Sequence, residues 1–220
     1  LRALDARRGF RSILVHTGQH YDERMSAVFL HSLGIRPPHA NLGVGSGSHA
    51  AQTAAVMTAL EPHLEAESPD LVLVVGDVNS TLAAALTAAK RNVPVAHLEA
   101  GLRSGDRTMP EELNRLLTDR LAELCFTPSP DADDNLLREG IPAERIHFVG
   151  NVMIDSLLWH LPRARELAVP AGLGLGRGRY AVVTLHRPSN VDRSEALGEI
   201  LEALEEIASR IPVIFPVHPR

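Results

Sequence analysis

Short apolar runs alternate along the chain with segments whose apolar side chains recur every three or four residues, the two periods that separate strands from helices. SILVH (12–16) reads as a short strand, and YDERMSAVFLHSL (21–33) has helical spacing that stops at Gly34. After a Pro-rich connector, residues 48–66 read as an Ala-rich helix capped by Ser48. LVLVVGD (71–77) reads as a central parallel strand buried on both faces, with Asn79 or Ser80 capping the helix that runs to Lys90. VPVAHLE is the next strand, and a helix follows from Pro110, where a missing N–H costs nothing. AELCFTP (122–128), a helix over 131–139, IHFVGN (146–151) and a helix from Asp155 continue the alternation. Such alternation predicts right-handed strand–helix–strand units and a parallel sheet.

Residues 162–179 (PRARELAVPAGLGLGRGR) break the pattern and read as a linker. The alternation restarts with YAVVTLH (180–186), a helix from about Arg193 to Arg210, and VIFPVH (213–218). One helix and two strands make too small a core to stand alone. The expected organisation is a first domain over 1–161 that lacks its first strand, a linker over 162–179, and the start of a second domain over 180–220. The chain is therefore expected to be a fragment of a longer two-domain protein.

Composition narrows the function more than it defines it. The 220 residues are 45% apolar and carry a net charge of −5, with no basic block, so nucleic acid is not the expected partner. No apolar run approaches the roughly 20 residues of a membrane span, and no leader pattern opens the chain. The lone cysteine, Cys125, reads as a small buried hydrophobe, which fits a reducing cytoplasm. With twenty-one arginines and one lysine, any anion site must use Arg, His or backbone N–H groups.

The chemistry concentrates in HLEAGLRSGDRTMPEELNRLLTD, from His97 to Asp119. A strand ending in charge and a helix opening in charge are how open α/β sheets build a site. Glu111 and Arg115, four apart, are expected side by side on one helix face. The other strand ends offer Thr17, Gln19 and His20, then Asp77 and Asn79, then Glu99, and later His186, Arg187 and His218. Acids thus gather on the first domain and His and Arg on the second, a division suited to a substrate with an anionic leaving group. Helix capping is the lesser reading of Asp77, whereas His97, inside a strand, reads as a structural, hydrogen-bonded histidine. No HExxH or Cys pair suggests a metal. GVGSGS (43–48) lacks the preceding strand and following acid of a dinucleotide fingerprint. Neither a P-loop nor GxSxG occurs.

HTGQHYDERMS (16–26), VVGDVNSTLA (74–83), HLEAGLRSGD (97–106), MPEELNRLLTD (109–119), VGNVMID (149–155) and TLHRPSNVD (184–192) together resemble the non-hydrolysing UDP-N-acetylglucosamine 2-epimerase family. The resemblance implies an α/β fold of two Rossmann-like domains of the GT-B glycosyltransferase type, the first nearly complete and the second only begun. It implies reversible conversion of UDP-N-acetylglucosamine to UDP-N-acetylmannosamine without metal or other cofactor. The enzyme would be a cytoplasmic homodimer serving cell-surface polysaccharide synthesis, with no membrane or nucleic-acid partner.

By the family's mechanism, UDP is eliminated across carbons 1 and 2 and added back to an enzyme-bound 2-acetamidoglucal. The resemblance carries Asp77, Glu99 and Glu111 over as proton-handling or sugar-positioning carboxylates. Arg115 and His186 carry over as stabilisers of the diphosphate and sugar, and Asp77, Glu99, Arg115 and His186 as substrate-binding residues. Gln19, His20, Arg187 and His218 match an activating second site of some bacterial members. The alternatives are a hydrolysing epimerase that releases N-acetylmannosamine and UDP, a GT-B glycosyltransferase, and a silent nucleotide-sugar sensor that would keep the diphosphate contacts and lose the acids. The 220-residue stretch alone is expected to have no turnover.

Overall fold

The computed structural model describes residues 1–18, 33–176, 178–185 and 188–217. The helix expected over 21–33 therefore lies outside the described residues, apart from its last position. Two compact units emerge, Leu1–Leu157 and Leu158–Arg220.

In the first unit, β1 (Val15–His16) pairs in parallel with β2 (Ala40–Asn41). A separate four-stranded parallel sheet has the order β3-β4-β5-β6, formed by Val72–Val75, Val95–Leu98, Leu124–Thr127 and Ile146–Phe148. Val75 is in register with Leu98, and Leu98 with Phe126, so the chain leaves β3, β4 and β5 side by side at one end of the sheet. The longer helices of this unit are α1 (His49–Glu67), α2 (Asn79–Lys90), α3 (Pro110–Leu121) and α4 (Pro130–Arg138), and α5 (Val152–Glu166) begins in this unit and ends in the second.

Helix α1 starts where the sequence predicts, because the Ser48 hydroxyl accepts from the Ala51 N–H at 3.2 Å. Val56, Leu60 and Leu64 recur every fourth residue and form its buried stripe. Helix α2 buries Ala83, Ala85 and Ala88, small side chains that let α1 and β3 approach closely. Leu60, Leu64, Val74, Val95, Cys125, Leu136 and Ile141 complete one core beneath the sheet. Burial pushes the Cys125 thiol up to about 12, helped by the nearby Asp119 charge, so this cysteine is an inert part of that core.

Two local expectations are corrected. The strand at 71–77 is not buried on both faces: Val74 is buried, whereas Leu73 and Val75 are 44% and 50% exposed. It lies first in the sheet order, and among the described residues no strand pairs with its outer edge. Nor does Asn79 cap α2. Val78 holds the cap position, and Asn79 is the first helical residue, buried, with its side chain turned into a polar network.

In the second unit β7 (Ala181–Val182) pairs in parallel with β8 (Val213–Ile214), and α6 (Ser194–Ala208) lies between them in sequence. The stretch read as linker from Pro162 begins as the last turn of α5, which passes through Pro162 to Glu166.

Candidate active site

The site is built where β3 and β4 end. Gly76 follows β3 with φ +69°, and Asp77 comes next. A Cβ placed on Gly76 would lie 3.6 Å from Glu99 Oε2, so the Glu99 carboxylate rests over the backbone that carries Asp77. Glu99 itself adopts φ +73°, a left-handed conformation that costs a non-glycine residue about 1–3 kcal/mol.

The surroundings hold Glu99 in that conformation. The N–H groups of Glu99 and Ala100 both donate to the Phe126 carbonyl at 3.1 Å. Gly101 N donates to Asp119 Oδ2 at 3.1 Å, and the Gly101 carbonyl accepts from Asn135 Nδ2 at 2.9 Å. Gly101 has φ +80°, and an added Cβ would meet the Ala132 carbonyl oxygen at 2.4 Å, so only glycine fits between β4 and α4. A strained acid held from several sides at a strand end is an observation that points to function.

Arg115 of α3 reaches the same place. Its Nη2 donates to Asp77 Oδ2, and its Nη1 donates to Glu112 Oε2 at 3.0 Å. This corrects the expected pairing of Glu111 with Arg115: the acid beside the guanidinium is Glu112, three residues before it. Spacings of three and four both place an acid next to Arg115 on a helix, and the choice depends on which face meets the sheet. Glu111 remains half-buried in the first turn of α3.

Glu112 is the residue that the sequence reading missed. It is 2% exposed and accepts from Ser104 N at 2.9 Å, Ser104 Oγ at 3.0 Å and Gly105 N at 3.1 Å, as well as from Arg115. Burial alone would raise its pKa, but these donors outweigh burial and hold it below the usual carboxylate range. Glu112 thereby ties the loop after β4 to α3 and aims Arg115 at Asp77. Its signal lay in the polar positions 112, 115 and 119, which share one face of α3.

A pH-dependent prediction follows from that lowered pKa. Glu112→Gln should cost about 1–3 kcal/mol at neutral pH, because a charged acceptor of four bonds is replaced by a neutral one. A carboxyl whose folded pKa is depressed stabilises above its unfolded value and loses that contribution as pH falls through the folded value. The gap between wild type and variant should therefore shrink below about pH 4. Urea unfolding at neutral and acid pH measures it, and an equal gap at both would contradict this role.

Asn79 and Asn114 support the site from the side. Asn114 Nδ2 donates to the Asp77 carbonyl at 2.8 Å and lies 3.3 Å from Asn79 Oδ1. Asn79 Nδ2 in turn donates to Gln52 Oε1 at 2.8 Å. His97 is fully buried, with Nδ1 2.6 Å from Asp119 Oδ1 and Nε2 2.8 Å from the Gly76 carbonyl, in keeping with its structural reading. Arg103 Nη2 bridges Asp119 Oδ2 at 2.8 Å and Glu139 Oε2 at 2.7 Å. Burial works against the Arg103 charge, but its bonds to Glu139 and the Asp119 charge outweigh it and raise its pKa.

The structure thus brings Asp77, Glu99 and Arg115 together. Of the other predicted site residues, Glu111 lies in the first turn of α3 outside the Asp77–Arg115–Glu112 bonds, and His186, Gln19, His20, Arg187 and His218 lie outside the described residues. Among the described residues no group of three or more His, Cys, Asp or Glu side chains is placed to hold a metal ion. No helix among them is long and apolar enough to cross a membrane.

Parallel strands alternating with helices, and acids with an arginine at the carboxyl ends of those strands, define a Rossmann-like α/β protein with a ligand site at its strand ends. Comparison with known proteins specifies it further. The chain belongs to the UDP-N-acetylglucosamine 2-epimerase family, whose sequence profile matches residues 2–220. It is 47% identical over 218 residues to a UDP-N-acetylglucosamine 2-epimerase homolog of Methanococcus maripaludis, covering 98% of this chain and 60% of the relative. It is 44% identical over 222 residues to the UDP-2,3-diacetamido-2,3-dideoxy-D-glucuronate 2-epimerase of Pseudomonas aeruginosa, covering 100% of this chain and 62% of the relative. The crystal structure of the Methanocaldococcus jannaschii UDP-GlcNAc 2-epimerase in complex with UDP-GlcNAc and UDP matches with a TM-score of 0.89 at 43% identity. That match covers 100% of this chain and 61% of the other. The Neisseria meningitidis enzyme bound to UDP-GlcNAc matches with a TM-score of 0.90 at 30% identity, covering 100% of this chain and 61% of the other. The fold is therefore the GT-B-type α/β architecture of these enzymes. The chain spans about three fifths of the length of the relatives it matches.

Proposed function

We propose that the protein epimerises carbon 2 of UDP-N-acetylglucosamine to give UDP-N-acetylmannosamine, and that UDP leaves and returns within one catalytic cycle. The observation that carries this reading is the meeting of Asp77, Glu99 and Arg115 at adjacent strand ends in a chain of this family. The hydrogen on carbon 2 has no carbonyl beside it to make it acidic, so removing it alone is unfavourable. Its loss becomes accessible when the diphosphate departs from carbon 1 in the same elimination, leaving a carbon 1–carbon 2 double bond in a 2-acetamidoglucal. Return of a proton to the other face of carbon 2, with re-addition of UDP at carbon 1, gives the epimer.

Such a cycle needs one proton-handling group for each face and cations for the departing diphosphate. Asp77, Glu99 and Glu111 are the proposed proton-handling or sugar-positioning carboxylates. Arg115 and His186 are the proposed partners of the diphosphate and sugar, and Gln19, His20, Arg187 and His218 form the proposed activating site. Asp77, Glu99, Arg115 and His186 together would bind the substrate. Residues 1–161 serve as the N-terminal Rossmann-like domain and 162–179 as the linker, with 180–220 in the UDP-binding domain. The enzyme works as a cytoplasmic homodimer that supplies cell-surface polysaccharide synthesis. The net charge of −5 supports the absence of a nucleic-acid partner.

A second substrate has a specific claim. The 44% identity to the Pseudomonas aeruginosa relative, named for a diacetamido-glucuronate, is close to the 47% of the Methanococcus maripaludis homolog. The full-length protein should therefore be given both sugar nucleotides and the products separated by chromatography. Conversion of UDP-N-acetylglucosamine to its manno epimer with UDP attached is expected. Free N-acetylmannosamine with UDP would make the enzyme a hydrolysing epimerase, and turnover of the diacetamido-glucuronate alone would transfer the reading to that substrate.

A further inference from the structure

The proposed chemistry uses the carboxylates of Asp77 and Glu99, which sit on two separate loops, and a distance fixed between them is a requirement of any two-faced proton transfer. A buried pair links those loops. His97 stands within β4, and its Nε2 meets the carbonyl of Gly76, the residue before Asp77, at 2.8 Å. Its Nδ1 meets Asp119 Oδ1 at 2.6 Å, and Asp119 Oδ2 accepts from the amide of Gly101, two residues after Glu99, at 3.1 Å. A carbonyl only accepts, so Nε2 carries a hydrogen, and a second proton lies between Nδ1 and the carboxylate. Ring and carboxylate together hold two protons, and both ends of the pair terminate on backbone groups that flank the two acids.

We infer that His97 and Asp119 are positioning residues for the epimerisation, forming a strap that sets the spacing of the Asp77 and Glu99 carboxylates. The inference rests on the functional reading above. A pair serving only the core has no reason to end on these two backbone groups, since a well-packed apolar pair stabilises a core as well or better. The strap also accounts for the left-handed Glu99, whose turn is held at Gly101 by the same Asp119 oxygen that Arg103 supports. Both residues are fully buried, so they act through the loops and touch no substrate.

Two substitutions separate the ends of the strap. The amide nitrogen of Gln falls near the place of Nε2 and keeps the bond to Gly76, whereas that of Asn falls near Nδ1 and keeps the bond to Asp119. In the full-length protein, His97→Asn should lower kcat by about 10–100-fold, as loss of supporting shells around a site does. KM for UDP-N-acetylglucosamine should stay within about threefold, because His97 touches no substrate and Arg115 keeps its place. His97→Gln, which keeps Gly76 and lets go of Asp119, should lower kcat as well, because the strap needs both of its ends. If His97→Asn does not fold, Asp119→Asn, which leaves the ring and removes its charged partner, should show the same split between kcat and KM. A kcat near wild type in His97→Asn would overturn the strap, as would losses in the two His97 variants that merely follow their thermal midpoints. Hydrogen exchange at the Asp77 and Gly101 amides supplies a readout that does not need turnover. Faster exchange in His97→Asn is expected, and unchanged exchange would overturn the strap. A wild-type protein that turns over neither sugar nucleotide, yet whose variants show the faster exchange, would sink the functional reading and leave the strap standing.

Discussion

Glu99→Gln is expected to lower epimerisation by about 10²–10⁴-fold, the range for loss of a positioned general acid or base. Glutamine keeps the shape and reach of the side chain, and it loses the negative charge and the capacity to take and return a proton. The effect should fall on kcat with little change in KM, as for an interaction made in the transition state. The position of Glu99 explains the size. Its carboxylate lies over Gly76 beside Asp77, and its φ of +73° is held by bonds from Ala100, Gly101 and its own amide. Steady-state rates at saturating UDP-N-acetylglucosamine measure the effect, and near-normal turnover would remove Glu99 from the chemistry.

Arg103→Ala should destabilise the first unit by about 3–5 kcal/mol, the cost of breaking a buried ion pair by removing one partner. Arg103 is 11% exposed and clamps Glu139 with two bonds of 2.7 Å from Nε and Nη2. The same Nη2 reaches Asp119, whose fully buried side chain, next to Cys125, would lose that cationic partner and keep only His97 and the Gly101 amide. A loss of this size should lower the urea midpoint and leave the slope of the transition unchanged. A midpoint within about half a kcal/mol of wild type would mean that Asp119 is held by His97 and Gly101 alone, as surface-like changes cost no more than that.

Most of the element order was legible because period decides it. The stripe of Val56, Leu60 and Leu64 and the cap at Ser48 define α1 from sequence, and the proline at the start of α3 marks that helix as plainly. What failed were decisions that depend on neighbours. An apolar run such as Leu71–Val75 looks the same in a central strand and in one whose outer edge pairs with no described strand, because the run records hydrophobicity and the neighbour decides burial. Asn79 looked like a cap because its residue type favours caps. The fold instead spends its amide on Gln52 and brings it beside His49 and Asn114. Within the site, Asp77, Glu99 and Arg115 were identifiable because their motifs place charge at strand ends. The Glu112 partnership was not, since spacings of four and of three both bring an acid beside Arg115 and only the buried face separates Glu111 from Glu112.

The central claim is that carbon 2 is inverted through loss and return of UDP, and heavy water tests it most directly. Full-length protein is incubated with UDP-N-acetylglucosamine in deuterated buffer, and the anomeric and carbon-2 protons are followed by NMR. The account predicts conversion to the manno epimer with deuterium at carbon 2 and UDP still attached. Epimer that retains its original hydrogen at carbon 2, or an unchanged spectrum with UDP bound, would contradict it.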